Sequence, residues 1–236
     1  MVEHPRKGFF IAGTDTGVGK SLVAVGLLRS LAQRKLRVAG MKPIAAGAVE
    51  TPEGLRNDDA VALQEAGNVD ADYAITNPYC LPAAVSPHIA AKEADVTIDI
   101  AKIVDAFQLL AAKADVVIVE GAGGWFAPID DTSKTPTTMA DVARALRLPV
   151  LLVVGLRLGC LNHALLTARA IEADGLGLEA WVGSHIDAGF ARPRENLATL
   201  SRLLGRPPIA IVPHLSSESA LRIDVVQRLA SFAATV

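Results

Sequence analysis

Residues 13–21 read Gly-Thr-Asp-Thr-Gly-Val-Gly-Lys-Ser and lie between the apolar run Phe9–Ala12 and the helical pattern Leu22–Leu31. A strand, a glycine-rich turn and a helix in this order are typical of a loop that binds the phosphates of a nucleotide. In such a loop a lysine reaches the outer phosphates and a hydroxyl ligates Mg²⁺, and here Lys20 and Ser21 hold those positions. A flexible turn with a surface lysine is the alternative, but it leaves the order of the elements unexplained.

The loop departs from the usual spacing at one position. The common pattern begins with glycine and reaches Gly-Lys-Ser/Thr after four further residues. Thr14 stands in the place of that first glycine, and Gly13 comes one residue earlier. The loop is therefore a near variant of the phosphate-binding pattern.

The composition and the hydrophobic pattern favour a single α/β domain over residues 1–236. The chain is 51% hydrophobic but only 4% aromatic, so small aliphatic side chains fill the core, as in a buried parallel sheet covered by helices. Apolar runs predict strands at Gly8–Ala12, Arg37–Lys42, Val116–Val119, Val150–Val154, Ala180–Ile186 and Ile209–Val212. Helical patterns predict helices at Lys20–Arg34, Asp59–Ala66, Ser86–Lys92, Ile100–Ala112, Thr138–Arg147, Leu161–Ala173, Pro193–Leu204 and Ser219–Phe232. This alternation predicts a doubly wound, mostly parallel sheet of the P-loop NTPase type.

Several classes of partner are not expected. The formal net charge is −2 and there is no basic block, which argues against nucleic-acid binding. No apolar stretch reaches the roughly 18 residues of a membrane span, and Met1–Lys7 does not have the form of a secretory signal. The two cysteines, Cys80 and Cys160, are too few for a disulfide framework or a zinc cluster. We expect a cytoplasmic protein with no nucleic-acid or membrane partner.

Candidate catalytic residues follow the predicted strands, because ligands of a doubly wound sheet bind at the carboxyl ends of its strands. Lys42 follows the second strand, where it can face developing negative charge; the alternative is a lysine that only extends into solvent. Glu120 ends the strand Val116–Val119, where a carboxylate can ligate Mg²⁺. Asp58 and Asp59 precede a helix, so each of them can cap that helix or bind the metal.

The strand Val150–Val154 leads into a second helix start, which contains Gly159 and Asn162. Such a start can bind a carboxylate, although an ordinary glycine-containing connection fits equally well. The histidines show no metal-ligand spacing, and no Cys/His or Gly-x-Ser-x-Gly nucleophile is visible. These residues therefore favour phosphoryl transfer from a nucleotide without a covalent enzyme intermediate.

The chain resembles the dethiobiotin synthetase family in six stretches. Three of them are specific sequences: Lys-Pro-Ile-Ala-Ala-Gly at 42–47, Thr-Pro-Glu-Gly-Leu-Arg-Asn-Asp-Asp at 51–59 and Glu-Gly-Ala-Gly-Gly-Trp at 120–125. The other three are the phosphate loop, which many NTPases share, Ser-Pro-His at 86–88 and Leu-Gly-Cys-Leu-Asn-His at 158–163.

The resemblance implies an ATP-dependent step of biotin biosynthesis. One amine of 7,8-diaminononanoate takes up CO₂, supplied as bicarbonate, and the resulting carbamate attacks the γ-phosphate of ATP. The second amine closes the ureido ring, and ADP and phosphate are released. Lys20 and Mg²⁺ would offset the charge of the γ-phosphoryl group, and Lys42 would stabilise the carbamate and the carbamic–phosphoric anhydride.

The resemblance also implies site residues and a homodimer. The metal ligands would be Ser21, Asp59 and Glu120, which selects Asp59 over Asp58. The nucleotide would contact Gly17, Val18, Gly19, Lys20, Ser21, Leu22, Asp59, Glu120, Gly121, Ala122, Gly123, Ser184, His185, Pro213, His214 and Leu215. The substrate would contact Thr16, Lys42, Ala46, Gly123, Gly159 and Asn162. The substrate's carboxylate would lie on the helix start at 158–163 of the partner subunit.

Four positions depart from the pattern of the family. Gly17 stands where many members have glutamate, and Ala46 stands where serine or threonine is common. Ser184-His185 replaces an Asn-Asp pair that often faces adenine, and serine fits the donor and acceptor role of asparagine less well. We therefore predict relaxed nucleobase selectivity, so that other NTPs also serve, with backbone groups of 213–215 supplying the remaining base contacts.

A partitioning or positioning ATPase of the related deviant P-loop group is the main alternative. Those proteins carry an extra lysine early in the loop, whereas this loop opens with Gly13-Thr14-Asp15. The C-terminal pattern at 219–232 contains two arginines but little sign of a basic membrane-binding face. Both observations favour the synthetase.

Overall fold

The chain forms one central sheet with helices on both faces, in a computed structural model that describes residues 8–214, 229, 231 and 232. The strands in this part of the chain are β1 (Gly8–Gly13), β2 (Val38–Met41), β3 (Ile44–Ala46), β4 (Val49–Thr51), β5 (Gly54–Arg56), β6 (Tyr79–Leu81), β7 (Val116–Glu120), β8 (Pro128–Asp130), β9 (Thr137–Thr138), β10 (Val150–Leu156), β11 (Leu178–His185) and β12 (Ala210–Val212). The helices there are α1 (Lys20–Gln33), α2 (Asp58–Ala66), α3 (Tyr73–Thr76), α4 (Pro87–Glu93), α5 (Ile100–Lys113), α6 (Met139–Leu146), α7 (Cys160–Ala173) and α8 (Pro193–Leu203).

The central sheet has the strand order β12-β11-β10-β1-β7-β2, and all its neighbouring strands are parallel. Parallel strands need crossover connections, which here are the helices on the two faces. The predicted doubly wound, mostly parallel sheet is confirmed, and the predicted ends of its strands are correct to within two residues. The last predicted helix, at 219–232, falls almost entirely outside the described residues.

Successive residues of β1 face opposite sides of the sheet. Phe9 and Ile11 belong to the core that includes the buried side chains of α1, whereas Phe10 and Ala12 belong to the core beneath α5, α6 and α7. All four are almost fully buried. A strand that is covered on both faces needs apolar residues at every position, which explains why the central strands read as continuous apolar runs.

The sequence did not predict three short strand pairs or the helix α3. The pairs are β3 with β6, β4 with β5, and β8 with β9. Each of these strands has two or three residues, which is too short for hydrophobic periodicity to detect. The first two pairs bear on the site, because β3, β4 and β5 lie between Lys42 and the start of α2, and β6 pairs with β3.

The caps of the helices settle one question that the sequence left open. The side chain of Asn57 caps α2 by accepting a hydrogen bond from the Ala60 N–H at 3.3 Å. Asp58 and Asp59 therefore lie in the first turn of α2, and neither is its cap. Within the described part of the chain, no helix combines the length and the apolar character that a membrane span requires.

Candidate active site

The phosphate loop joins β1 to α1, as the sequence predicts. Gly19 has a left-handed φ of 89° directly before α1, which a residue with a side chain adopts only at a cost. A Cβ on Gly13 would stand 2.8 Å from the Val18 side chain. Glycine at position 13 therefore allows the loop to fold back over the end of β1.

Thr14, which breaks the usual spacing, fastens the loop to the neighbouring strand. Its N–H donates to the Val153 carbonyl at 3.0 Å, and its hydroxyl accepts a hydrogen bond from the Gly155 N–H at 3.2 Å. Glycine could not make the second bond. The unusual residue therefore has a structural role on β10.

Four polar side chains, Ser21, Lys42, Asp59 and Glu120, meet where β1, β2 and β7 end, and we name them the ion cluster. The Lys42 ammonium donates to Glu120 Oε1 at 2.5 Å and to Asp59 Oδ2 at 3.1 Å. The Ser21 hydroxyl donates to the same Glu120 oxygen at 2.8 Å. These residues lie far apart in the sequence and are in direct contact in the structure. The strand-end rule predicted Lys42 and Glu120 at this edge, and the family resemblance selected Asp59.

The ion cluster is mostly buried. Glu120 is 0% exposed and Lys42 is 5% exposed, so Lys42 does not extend into solvent. Burial opposes the charged form of Lys42, but the carboxylates of Glu120 and Asp59 outweigh it and raise the pKa of Lys42 above its ordinary value. Burial likewise opposes the charge of Asp59, and the Lys42 ammonium reverses that effect, so the pKa of Asp59 is lowered. Lys42 and Asp59 therefore stabilise each other as a charged pair.

Lys20 lies beside the ion cluster and is in a different electrostatic state. Its ammonium is buried and donates to the Asp15 carbonyl at 2.9 Å. Burial, followed by repulsion from the Lys42 charge, lowers the pKa of Lys20 to about 8. An anion that enters the phosphate loop would therefore stabilise the charged form of Lys20.

The ion cluster offers oxygen ligands that fit Mg²⁺. Glu120 Oε2 is buried and has no hydrogen-bond partner, which leaves this oxygen free to bind a cation. Mg²⁺ takes one or two protein carboxylates and completes its shell with phosphate oxygens and water. Among the described residues there is no group of three or more His, Cys, Asp and Glu that could hold a metal by itself. A metal bound to Ser21, Asp59 and Glu120 would therefore depend on the nucleotide for its other ligands.

The loop that follows β7 lies against the phosphate loop. A Cβ on Gly123 would stand 3.7 Å from the Thr16 hydroxyl, and one on Gly124 would stand 3.9 Å from the carbonyl oxygens of Gly13 and Thr14. Gly123 also has a positive φ of 67°. The structure therefore places two predicted substrate contacts next to each other, Gly123 and Thr16 of the phosphate loop.

The predicted base contacts lie at the ends of the neighbouring strands β11 and β12. Ser184 is buried, and its hydroxyl is 3.1 Å from the position that a Cβ on Gly19 would take. His185 is half-buried, and its pKa is lowered by burial and by the nearby His214. Leu215, another predicted contact, lies outside the described residues.

The predicted carboxylate site lies on a different element from the ion cluster. Gly159 has a φ of 96° directly before α7, and Asn162 is exposed on the first turn of that helix. The structure gives Asn162 no hydrogen bond to the ion cluster. The Arg157 guanidinium, just before this start, pairs with the Asp15 carboxylate at 2.6 Å. Sequence reasoning missed this pair, although opposite charges after the neighbouring strands β1 and β10 were a usable signal.

A glycine-rich phosphate loop with a buried lysine–carboxylate cluster at the carboxyl edge of a parallel sheet defines a P-loop nucleoside triphosphatase. Solved structures share this fold. MinD of Aquifex aeolicus has a TM-score of 0.59 at 13% identity, with 98% of this chain and 98% of that chain covered. A ParA family ATPase of Chlorobium tepidum TLS has a TM-score of 0.58 at 12% identity, with 98% and 100% covered. At such low identity these likenesses establish the fold alone.

Sequence relatives identify the family. A family model described as an AAA domain matches residues 7–220. The ATP-dependent dethiobiotin synthetase BioD of Xanthomonas axonopodis pv. citri is 47% identical over 212 residues, which are 90% of this chain and 92% of that protein. The protein of the same name from Xylella fastidiosa is 49% identical over 207 residues, 88% of this chain and 90% of its own. The chain belongs to the ATP-dependent dethiobiotin synthetase family, which confirms the resemblance found in the sequence.

Proposed function

We propose that this chain catalyses the ATP-dependent carboxylation and ring closure of 7,8-diaminononanoate to dethiobiotin. Family membership supports the reaction, and one observation carries its mechanism: a charged lysine, Lys42, is held between two carboxylates beside the phosphate loop. A partitioning or positioning ATPase would not need Lys42 as a second buried cation, beside Lys20, to face a phosphoryl acceptor. The extra lysine that such proteins carry early in the loop is also missing here.

The phosphate loop would hold the nucleotide, with backbone N–H groups of residues 17–22 facing the phosphates. Lys20 would move from the Asp15 carbonyl to the β- and γ-phosphates. Ser21, Asp59 and Glu120 would hold Mg²⁺. Bound there, Mg²⁺ would offset the negative charge of the β- and γ-phosphate oxygens. The part of these residues is to fix the γ-phosphate in line with its acceptor, because positioning and charge stabilisation are most of the catalysis available in phosphoryl transfer.

Lys42 would act on the acceptor. One amine of the substrate attacks CO₂ and loses a proton, which gives a carbamate anion. A carbamate oxygen then attacks the γ-phosphorus, and the bond from that phosphorus to the ADP oxygen breaks. The second amine attacks the carbamate carbon, and phosphate leaves with the former carbamate oxygen. The Lys42 ammonium stabilises negative charge on the carbamate and on the anhydride in both steps.

The substrate's carboxylate would bind at the start of α7 of a partner subunit. Gly159 is left-handed and no side chain caps the start of α7, where Asn162 is exposed on the first turn. Leu158 in the same segment is 91% exposed, which a subunit interface would cover. These features support a homodimer in which each active site is completed by the other chain.

A direct assay tests the proposed function. The protein is incubated with 7,8-diaminononanoate, bicarbonate, Mg²⁺ and each nucleoside triphosphate in turn, and dethiobiotin is sought by mass spectrometry. We expect product that depends on bicarbonate and on a nucleotide. If no nucleotide supports product formation by folded protein, the proposed function is wrong.

A further inference from the structure

The hydroxyl of Tyr73, on α3, joins two segments of the active site. It accepts a hydrogen bond from the backbone N–H of Asn57 at 2.9 Å and donates one to Asn77 Oδ1 at 3.1 Å. Burial raises the pKa of Tyr73 to about 12, so the hydroxyl keeps the proton that it donates. The Arg56 guanidinium lies 4.2 Å above the ring centroid and holds the ring in place.

One branch from this hydroxyl leads to Lys42. Asn77 is 3% exposed, and its amide nitrogen donates to the Lys42 carbonyl at 2.6 Å and to the Tyr79 carbonyl at 3.2 Å. The Lys42 N–H donates to the Thr76 carbonyl at 2.8 Å. Both polar groups of the Lys42 backbone are thus bound by the segment that Tyr73 orients.

The other branch leads to Asp59. Asn57 caps α2, and Asp59 lies in the first turn of that helix. The Asn57 amide nitrogen also donates to the Ala46 carbonyl at 3.3 Å. The position of the cap therefore determines where the Asp59 carboxylate meets the Lys42 ammonium, 3.1 Å away.

We infer that Tyr73 is a positioning residue that sets the spacing of Lys42 and Asp59 through Asn77 and Asn57. Its hydroxyl acts on the two charged side chains through the bonds to Asn57 and Asn77. Its hydroxyl bonds to both segments directly, and a loss of that atom lets the two charged side chains shift relative to each other. The inference rests on the proposed function for its turnover measurement, but its binding measurement does not need the substrate.

The chain offers a matched control for this residue. The Tyr79 hydroxyl accepts a hydrogen bond from the Asp99 N–H at 2.7 Å and donates to the Asp99 carbonyl at 3.3 Å. Tyr79→Phe therefore removes the same atom and also leaves a backbone N–H without its acceptor, but it does so at the start of α5. Similar losses of thermal stability are expected for Tyr73→Phe and Tyr79→Phe, so stability cannot by itself produce a difference between them.

The experiment measures the affinity of the full chain for ADP by calorimetry, with and without Mg²⁺, and the turnover of the wild type and both variants. For Tyr73→Phe we expect the gain in ADP affinity that Mg²⁺ provides to fall about tenfold, because one buried hydrogen-bonding partner is lost. We expect kcat to fall by a similar factor. ADP affinity without Mg²⁺ stays unchanged, and Tyr79→Phe stays within about twofold of the wild type in every measurement.

The inference is overturned if Tyr73→Phe keeps the Mg²⁺-dependent gain of the wild type, or if Tyr79→Phe loses as much of it. A wild-type chain that binds Mg²⁺ and ADP but makes no dethiobiotin would contradict the proposed function instead, and the binding measurement would still decide the role of Tyr73.

Discussion

The ion cluster differs in construction from the predicted base contacts Ser184, His185 and His214, which we name the base end. In the ion cluster Lys42 and Glu120 are buried, Asp59 is partly exposed, and each charge contacts a partner from another element of the fold. At the base end, Ser184 offers a single hydroxyl. His185 is half-buried, and His214 is exposed. A buried charge that loses its partner is costly, whereas a partly solvated contact can be exchanged cheaply. We therefore expect substitutions in the ion cluster to change activity more than substitutions at the base end change the choice of nucleotide.

Removal of the Lys42 charge should have the largest effect. Lys42→Met leaves the buried Glu120 without its counter-ion, so we expect kcat to fall by at least about a thousandfold and stability to fall by about 3–5 kcal/mol. Nucleotide binding in steady-state titration shows whether the variant is folded. Lys92→Met, on an exposed position of α4, is the control and should be neutral. A folded Lys42→Met that binds nucleotide and keeps full turnover would remove the role that we assign to Lys42.

The second largest effect should follow from neutralising Glu120. Glu120→Gln keeps the shape of the side chain but replaces one carboxylate oxygen by an amide, and Oε2 is the oxygen that has no partner here. The Mg²⁺ concentration for half-maximal turnover should rise by at least about tenfold, and kcat should fall by about a hundredfold. The exposed Glu53→Gln serves as control. An unchanged Mg²⁺ dependence would exclude Glu120 as a ligand.

The pH dependence of nucleotide binding should show the state of Lys20. The pKa of Lys20 is about 8 before the nucleotide binds, and contact with phosphates raises it. Above pH 8, binding then requires uptake of a proton, so the affinity for ADP should fall by about tenfold per pH unit; at pH 7 and below this group contributes no slope. Calorimetry in two buffers measures the proton uptake. Lys20→Arg, which stays charged, should bind without that slope, and a flat profile for the wild type would contradict the prediction.

The base end should show the smallest effect. We expect ATP, GTP, CTP and UTP to differ by no more than about tenfold in kcat/KM, because one serine hydroxyl distinguishes the bases poorly. Ser184→Asn should raise the preference for ATP, whereas Ser184→Ala should leave the ranking unchanged. A wild type that prefers ATP by several orders of magnitude would show that the base end is as strictly built as the ion cluster.

The sequence predicted the residues at the ends of long strands better than the residues on short elements. Lys42 and Glu120 were found because long apolar strands and the strand-end rule place them at one edge of the sheet, whereas the family resemblance selected Asp59 over Asp58. The cap at Asn57, the Tyr73 hydroxyl and the Asn77 amide were missed. They lie on elements of two to four residues and at the start of a helix, where side-chain hydrogen bonds rather than hydrophobic period decide the structure. Thr14 was noticed as a departure, but its bond to β10 depends on Gly155, which lies 141 residues further along the chain.

The path of one oxygen atom tests the central claim, which is that the ion cluster directs the γ-phosphoryl group to a carbamate. The reaction is started with freshly dissolved ¹⁸O-bicarbonate, and the released phosphate and dethiobiotin are analysed by mass spectrometry. If a carbamate oxygen attacks the γ-phosphorus, one ¹⁸O appears in phosphate for each dethiobiotin formed, after correction for exchange with water. Phosphate without label beside labelled dethiobiotin would mean that water, and not the carbamate, accepts the phosphoryl group, and would contradict the mechanism.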